Sequence, residues 1–582
     1  MLNADVHKGF MRKAGQGGNR AIINLRSLRI WQTILFRNGN INMSENVRVL
    51  TNGKIFTSND NQPWAEAVVI KGNKIAFVGS NEEALKAAPG VKAEDLGGKL
   101  VTPGLIDGHL HFFGANMFNG LITLNGMSAD EIYAAVKQFV AEHPEKTAYT
   151  GIGWNDTMFG AAGPHKKDLD AICPDKPMAL LSSSMHTVWC NSKALEAAGI
   201  TRETPDIDPA GGVIYQRDAD GEPTGYAKEL ASMDALMKDV KYFRDEDIRN
   251  SLPSFFTTAA ENGITSVVDC GSISFIRNMF DADLNAYFDK DETPIRLNFC
   301  GYAGVTGLYE KAFADTVAFS KKFTNDRFFC TFHKLFNDGT IENFSAALPT
   351  PYPSGDVVKP MMTIEMLTEK FEDCAKVGID VNIHAIGSDA IHNVLIAAGN
   401  VRAKGYKDIR IVLSHSQCVY PDDIALFGKN DVFSNTTGCW IAAMTESNEN
   451  LVKQYAGARL YPVKSIMESG ATVGFGSDYP TDPTTFPIMP NIETLITRQH
   501  VGEENSYIHG EAERITMADV IKGYTIRNAY QMRRENVLGS IEPGKYADLT
   551  VYERNLFEID PHEIHDVKIA ETIKDGLTTY KA

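Results

Sequence analysis

Among its eight cysteines the 582-residue chain has no C-x-x-C pair; they stand scattered from Cys173 to Cys439. This argues against a thiolate zinc site and a disulfide framework, and it leads to the expectation of a reducing, cytoplasmic setting. No window approaches the run of about 18 apolar residues that a transmembrane helix needs, so no membrane span is expected. Basic charge is also in deficit: the net charge is −17. That argues against nucleic acid or an anionic membrane as the main partner and leaves a small molecule. Histidine is sparse, 14 residues in all, so where it falls is informative.

Residues 1–42 differ from the rest. They hold seven Lys/Arg against a single acid, Asp5, with much Gly and Asn and little periodicity. They are expected to be a disordered or non-native extension ahead of a start at Met43. From Met43 onward "VRVLTNGKIFT" and "AEAVVIKGNKIAFVGS" alternate apolar and polar residues around Asn-Gly and Gly-Asn, the pattern of hairpins. "LGSIEPGKYADLTVYERN" near the C-terminus has the same style. Between them, short apolar runs alternate with helical stretches, which argues for a parallel βα core. Eight runs fit its strands: 100–111, 263–272, 296–302, 328–336, 378–387, 409–417, 431–438 and 471–480. The gap between the first two is too long for one crossover helix and requires an insertion. The expected fold is α/β: a TIM-like (β/α)8 barrel over 103–535, with an insertion near 125–250. A small β-sandwich would be built from 43–102 and 536–582.

"VTPGLIDGHLHFFG" ends the first run with His109 and His111. Residues i and i+2 of a strand point the same way, so the two imidazoles can grip one ion. Lys334, His384, His415 and Asp478 lie near the ends of the fourth, fifth, sixth and eighth runs. In a βα barrel these C-terminal strand ends share one mouth, where active sites lie. Each residue alone has a plain structural reading, as a hydrogen-bonded histidine, a snorkelling lysine or an Asx turn. Ligand-type residues at five strand ends together point to zinc or another divalent metal, one ion or two. A lysine joins such a set only as a carbamate, and Lys334 is the candidate for N-carboxylation. Trp154, Phe159, Trp189, Tyr352 and Trp440 read equally well as pocket walls or as core.

These residues resemble the amidohydrolase superfamily, and more closely its amidohydrolase 3 branch, which includes N-substituted formamide deformylases. The similarity runs over about 45–560 and rests on "TNGKIFT", "VTPGLIDGHLH", "GIGWNDTMFG", "SMHTVWCNSKAL", "HKLFNDGTIENFSAALPTPY", "NIHAIGSDAI", "LSHSQCVYPDDIALF", "GFGSDYP" and "GSIEPGKYADLTVYERN". The resemblance implies metal ligation by His109, His111, carboxylated Lys334, His384, His415 and Asp478. It also implies an insertion capping the mouth, with Trp154 and His186 as pocket residues. The chain departs from the commoner form after "DG", where "TIENFSAAL" replaces a Gly/Ser-rich run ending in Arg. That departure bears on substrate contacts, not on the metal site.

The expected activity is hydrolysis of a non-peptide C–N bond, amide or N-acyl, in a small-molecule substrate. Asp478 is the expected proton carrier, with His186 or His384 helping to polarise the carbonyl. An esterase or lactonase on the same site and a non-catalytic scaffold are the alternatives. The expected assembly is a homodimer.

Overall fold

The computed structural model describes residues 46–117, 121–155, 158–160, 162–182, 187–206, 214–228, 235–237, 240–242, 245–271, 293–300, 309–341, 344–352, 355–443, 445, 457–481 and 486–582. The basic segment 1–42 and His186 lie outside them.

Nine parallel strands form the core: β1 Leu105–Leu110, β2 Ile264–Asp269, β3 Arg296–Phe299, β4 Phe328–Phe329, β5 Phe332–Phe336, β6 Asp380–Ala385, β7 Ile411–His415, β8 Val432–Thr436 and β9 Val473–Phe475. They follow one another in chain order as two ladders, β1-β2-β3-β4 and β5-β6-β7-β8-β9. β4 and β5 are the two halves of one expected strand, interrupted at Cys330-Thr331, and the interruption falls where one ladder ends and the next begins. These strands are buried on both faces, as parallel strands under helices must be, and they carry buried polar residues such as Asp107, Asn298, Asn382 and Asn435 among the apolar ones. Among the described residues the ladders do not join into a single hydrogen-bonded ring. β1 and β9 are instead linked by Asn528, whose amide donates to Ile106 O (2.7 Å) and Phe475 O (2.8 Å). Past β9 the chain continues this seam: the Asp478 N–H donates to His109 O at 2.7 Å and the His111 N–H to Tyr479 O at 2.8 Å.

The expected first strand, 100–111, is two strands. Leu100–Pro103 belongs to a different, six-stranded sheet, where it pairs antiparallel with Leu549–Tyr552 and parallel with Lys54–Phe56. That sheet therefore joins the two ends of the chain. "VRVLTNGKIFT" is not a hairpin. Val47–Thr51 pairs with Ala67–Lys71 and Ala93–Asp95, while Lys54–Phe56 pairs with Trp64–Ala65. Asn52, in the left-handed region at φ 56°, turns the chain from one sheet into the next instead of back on itself. The Gly-Asn turn does close a hairpin, with Lys71 opposite Lys74. The two terminal sheets share a core that includes Leu50, Ile55, Val68, Val101, Leu549 and Ile573.

Between β1 and β2 lies a third sheet of six strands, from Ile122–Thr123 to Pro223–Lys228. Its own core gathers Leu124, Ile132, Trp154, Leu180 and Trp189. Among the described residues no helix is long and apolar enough to cross a membrane.

Candidate metal centre

The C-terminal ends of β1, β5, β6 and β7 and the turn after β9 bring the expected residues to one place. One ligand atom each from His109, His415 and Asp478 lies within 4.8 Å of the others, and all three side chains are buried. Asp478 Oδ1 stands 3.4 Å from His109 Nε2 and 3.1 Å from His111 Nε2, and Oδ2 is 3.9 Å from His415 Nδ1. The His384 ring lies 4.6 Å from that of His415 and stacks on Phe336. Lys334 is buried on the same inward row of β5 as Phe332 and Phe336. Its neighbour His333, absent from the expected set, points the other way and meets Thr316 Oγ1 at 3.0 Å. One position along a strand thus separates a site residue from a structural histidine.

The backbone at the site is strained. His415 and Asp478 have φ of 80° and 55°, a conformation that costs about 1–3 kcal/mol at non-glycine residues. Packing holds it: the Thr436 hydroxyl donates to His415 O at 3.0 Å, and the Asp478 N–H is bound to His109 O. Gly476 is required here, because a Cβ would lie 2.4 Å from His109 N.

Burial, with the Lys334 ammonium nearby, drives the His109 imidazole down to about 4 and His384 to about 3. Burial also takes His415 well below its usual value, helped by His384. All three are neutral near pH 7, as metal ligands must be. Burial opposes protonation of His111 too, but the Asp478 carboxylate 3.1 Å from its Nε2 outweighs that and raises it. Burial would push the Asp478 carboxyl up; the close approach of the His109 imidazole, with His111 and His415, instead holds it far below the usual range.

Two buried atoms at the centre, His109 Nε2 and Asp478 Oδ1, meet no hydrogen-bond partner among the described residues. Neutral imidazoles and a carboxylate with idle lone pairs make a donor set that fits a divalent cation. The second nitrogens are anchored: His111 Nδ1 meets Gly271 O at 2.6 Å, and His384 Nε2 meets Gly339 O at 3.1 Å. Such anchors fix the tautomer and the ring plane of a ligating histidine. Lys334 Nζ donates to Asn382 Oδ1 at 3.3 Å, and no carboxylate among the described residues forms an ion pair with it.

The sequence reading missed several supporting residues. Asp107 accepts the His109 and Ser477 N–H groups at 3.2 and 3.0 Å, and burial raises it to about 6. Its signal was available, because it sits two residues ahead of His109 on the same face of β1. Asp338 accepts three backbone N–H groups, from Ala347, Ile386 and Gly387, and so pins the turn after His384 to the loop after β5. Burial raises it to about 7. Asn382 and Asn528 carried no signal beyond being polar residues in apolar runs.

Trp154 is a correction. It is fully buried in the core of the inserted sheet, packed on Phe159, Trp189 and Tyr226. Its indole N–H is spent on Leu180 O at 2.9 Å, so it is not a pocket wall. Tyr352 is likewise buried, its hydroxyl bound to Ala346 O. Trp440 does lie at the site, stacked on His415 with ring centroids 5.8 Å apart.

Comparison with known proteins shows the family. The model of the amidohydrolase family matches residues 92–580. The chain belongs to the amidohydrolase family. It is 30% identical over 70% of its length to the exoenzymes regulatory protein AepA of Pectobacterium carotovorum, covering 88% of that protein. It is 25% identical over 92% of its length to the N-substituted formamide deformylase of Arthrobacter pascens, covering 98% of it. Among solved structures, an uncharacterised metal-dependent hydrolase from Pyrococcus horikoshii superposes over 89% of this chain and 100% of its own. The TM-score is 0.68 at 22% identity, a likeness of fold.

Proposed function

We propose that this amidohydrolase-family chain is a metal-dependent hydrolase of a non-peptide C–N bond, amide or N-acyl, in a small molecule. The observation that carries the reading is the buried His109–His415–Asp478 group with its two unpartnered atoms. Family membership supports hydrolysis, and the deformylase relative supports an N-acyl substrate. Two backbone bonds and Asn528 across the β1–β9 seam support a (β/α)8 arrangement of the core.

In this reading His109, His111, His384, His415 and Asp478 hold the metal, which is zinc or another divalent ion. Lys334 joins them as its carbamate. A buried ammonium without an ion pair is costly. Its neutral amine, having lost a proton, would add carbon dioxide and release a second proton to give a carbamate, whose anionic oxygens would be balanced by the divalent ion they help to hold. A divalent ion bound there supplies Lewis acidity and makes water nucleophilic near neutral pH. Asp478 takes the proton of the attacking water and delivers it to the leaving nitrogen. The anchors at Gly271 O and Gly339 O keep the His111 and His384 rings in place while charge develops.

The test is metal analysis of the purified chain, followed by hydrolysis assays of N-formyl and N-acyl amines beside matched esters. The expected result is one or two divalent ions per chain and turnover of the amides that a chelator abolishes. Turnover of the esters alone would favour an esterase. No metal after reconstitution would favour a scaffold, a reading to which the regulatory relative lends support.

A further inference from the structure

Trp440 carries one more feature. Its side chain is partly open, so the ring borders accessible space, yet its Nε1 is enclosed and meets no acceptor among the described residues. Indole N–H groups are donors only, and a buried one left unpaired costs about 1–3 kcal/mol. The ring lies nearly parallel to His415, at 20°, and His415 is one corner of the metal-binding group. The chain takes deliberate steps to place it. β8 ends at Thr436, and Gly438 passes so close to the helix Ile488–Thr497 that a Cβ would sit 2.4 Å from Asn491 O. The Cys439 N–H then fastens to Asn491 Oδ1 at 3.0 Å, which presents Trp440 to His415.

We propose that the Trp440 indole N–H donates a hydrogen bond to the carbonyl oxygen of the substrate's acyl group, while the ring forms a wall of the acyl subsite. The inference rests on the hydrolase reading. In acyl hydrolysis negative charge grows on that oxygen, and a preorganised donor in a dry setting beside the ligands is suited to meet it. The substrate class is narrowed accordingly: a compact acyl group, small enough to meet the edge of the indole beside His415.

The test uses full-length, metal-loaded protein and acetohydroxamate, which pairs an acyl carbonyl with a metal-chelating group. The chain has five tryptophans, so indole N–H resonances are few. That of Trp440 is assigned with Trp440→Phe or, if that variant is unstable, by paramagnetic broadening in Co(II)-loaded protein. The expected result is a downfield move of the Trp440 indole proton on saturation with acetohydroxamate, absent from metal-stripped protein. Trp440→Phe should keep its metal content and bind the probe about three- to tenfold more weakly, the worth of one hydrogen bond. Probe binding that leaves the Trp440 resonance in place, or equal affinity in Trp440→Phe, would overturn the inference and leave the hydrolase reading standing. Failure of the metal-loaded protein to bind the probe at all would overturn both.

Discussion

Asp478 has the most demanding role of any single residue here. It sits in a left-handed conformation, faces three imidazoles, and its carboxyl is held far below the usual range. Asp478→Asn keeps the shape and most of the ligands but removes the proton acceptor. General acid–base catalysis contributes about 10²–10⁴-fold. The variant should therefore retain most of its metal by elemental analysis and lose kcat by roughly that factor, with KM little changed. Near-normal kcat would remove Asp478 from the proton-carrying role. Legibility at this scale was uneven for a physical reason. The gathering of His109, His384, His415 and Asp478 at one place was readable because strand ends restrict position. Trp154 misled, because an aromatic residue at the end of a strand has the same letters whether it faces a pocket or a core.

At the scale of elements, the seam between β1 and β9 depends on side chains where the rest of the core has ladders. Asn528 spans it, following the π-helical turn Gly523–Arg527. Gln531 adds a bond to Gly108 O of β1 at 2.8 Å, beside His109. Asn528→Ala leaves two buried carbonyls unpaired. At about 1–3 kcal/mol for each such group, urea unfolding should show a loss of about 2–6 kcal/mol, with weaker metal retention because His109 and Asp478 lie on opposite sides of the seam. A loss below about 1 kcal/mol would show that backbone bonds alone hold the seam. The strands themselves were legible from apolar runs, and their order from the one-after-another rule for βα units. The switch of Asn52-Gly53 between two sheets was not. A turn sequence fixes local φ and ψ, whereas the partner strand is chosen by burial far along the chain, here by Leu50 and Ile55 entering one shared core.

For the whole molecule, the joint between the core and the sheet of both chain ends is a buried charge cluster. Arg296, the first residue of β3, pairs with Asp548 and Asp575 from the terminal sheet, and Arg327 and Lys574 also pair with Asp575. Nothing in the sequence announced it, because the five residues are scattered over 279 positions and each is ordinary alone. Burial would raise the Asp575 carboxyl, but the charges of Lys574, Arg296 and Arg327 outweigh it and hold it well below the usual 3.8. Burial pulls Lys574 down to about 8, so this cation is held in place only by its partners. Removing the central anion strands Lys574 and Arg327 and leaves Arg296 with Asp548 alone, and breaking such a buried set costs about 3–5 kcal/mol. Asp575→Asn should show that loss at pH 7. A carboxyl depressed in the folded state contributes fully above its unfolded value near 3.8, and the contribution fades as pH falls through the folded value. The gap between wild type and variant should therefore stay constant from pH 7 to about 5 and narrow below about 3.8. Urea melts of both proteins across that range measure it. Equal stability at pH 7, or a gap that widens toward acid, would show that Asp575 does not hold the joint together.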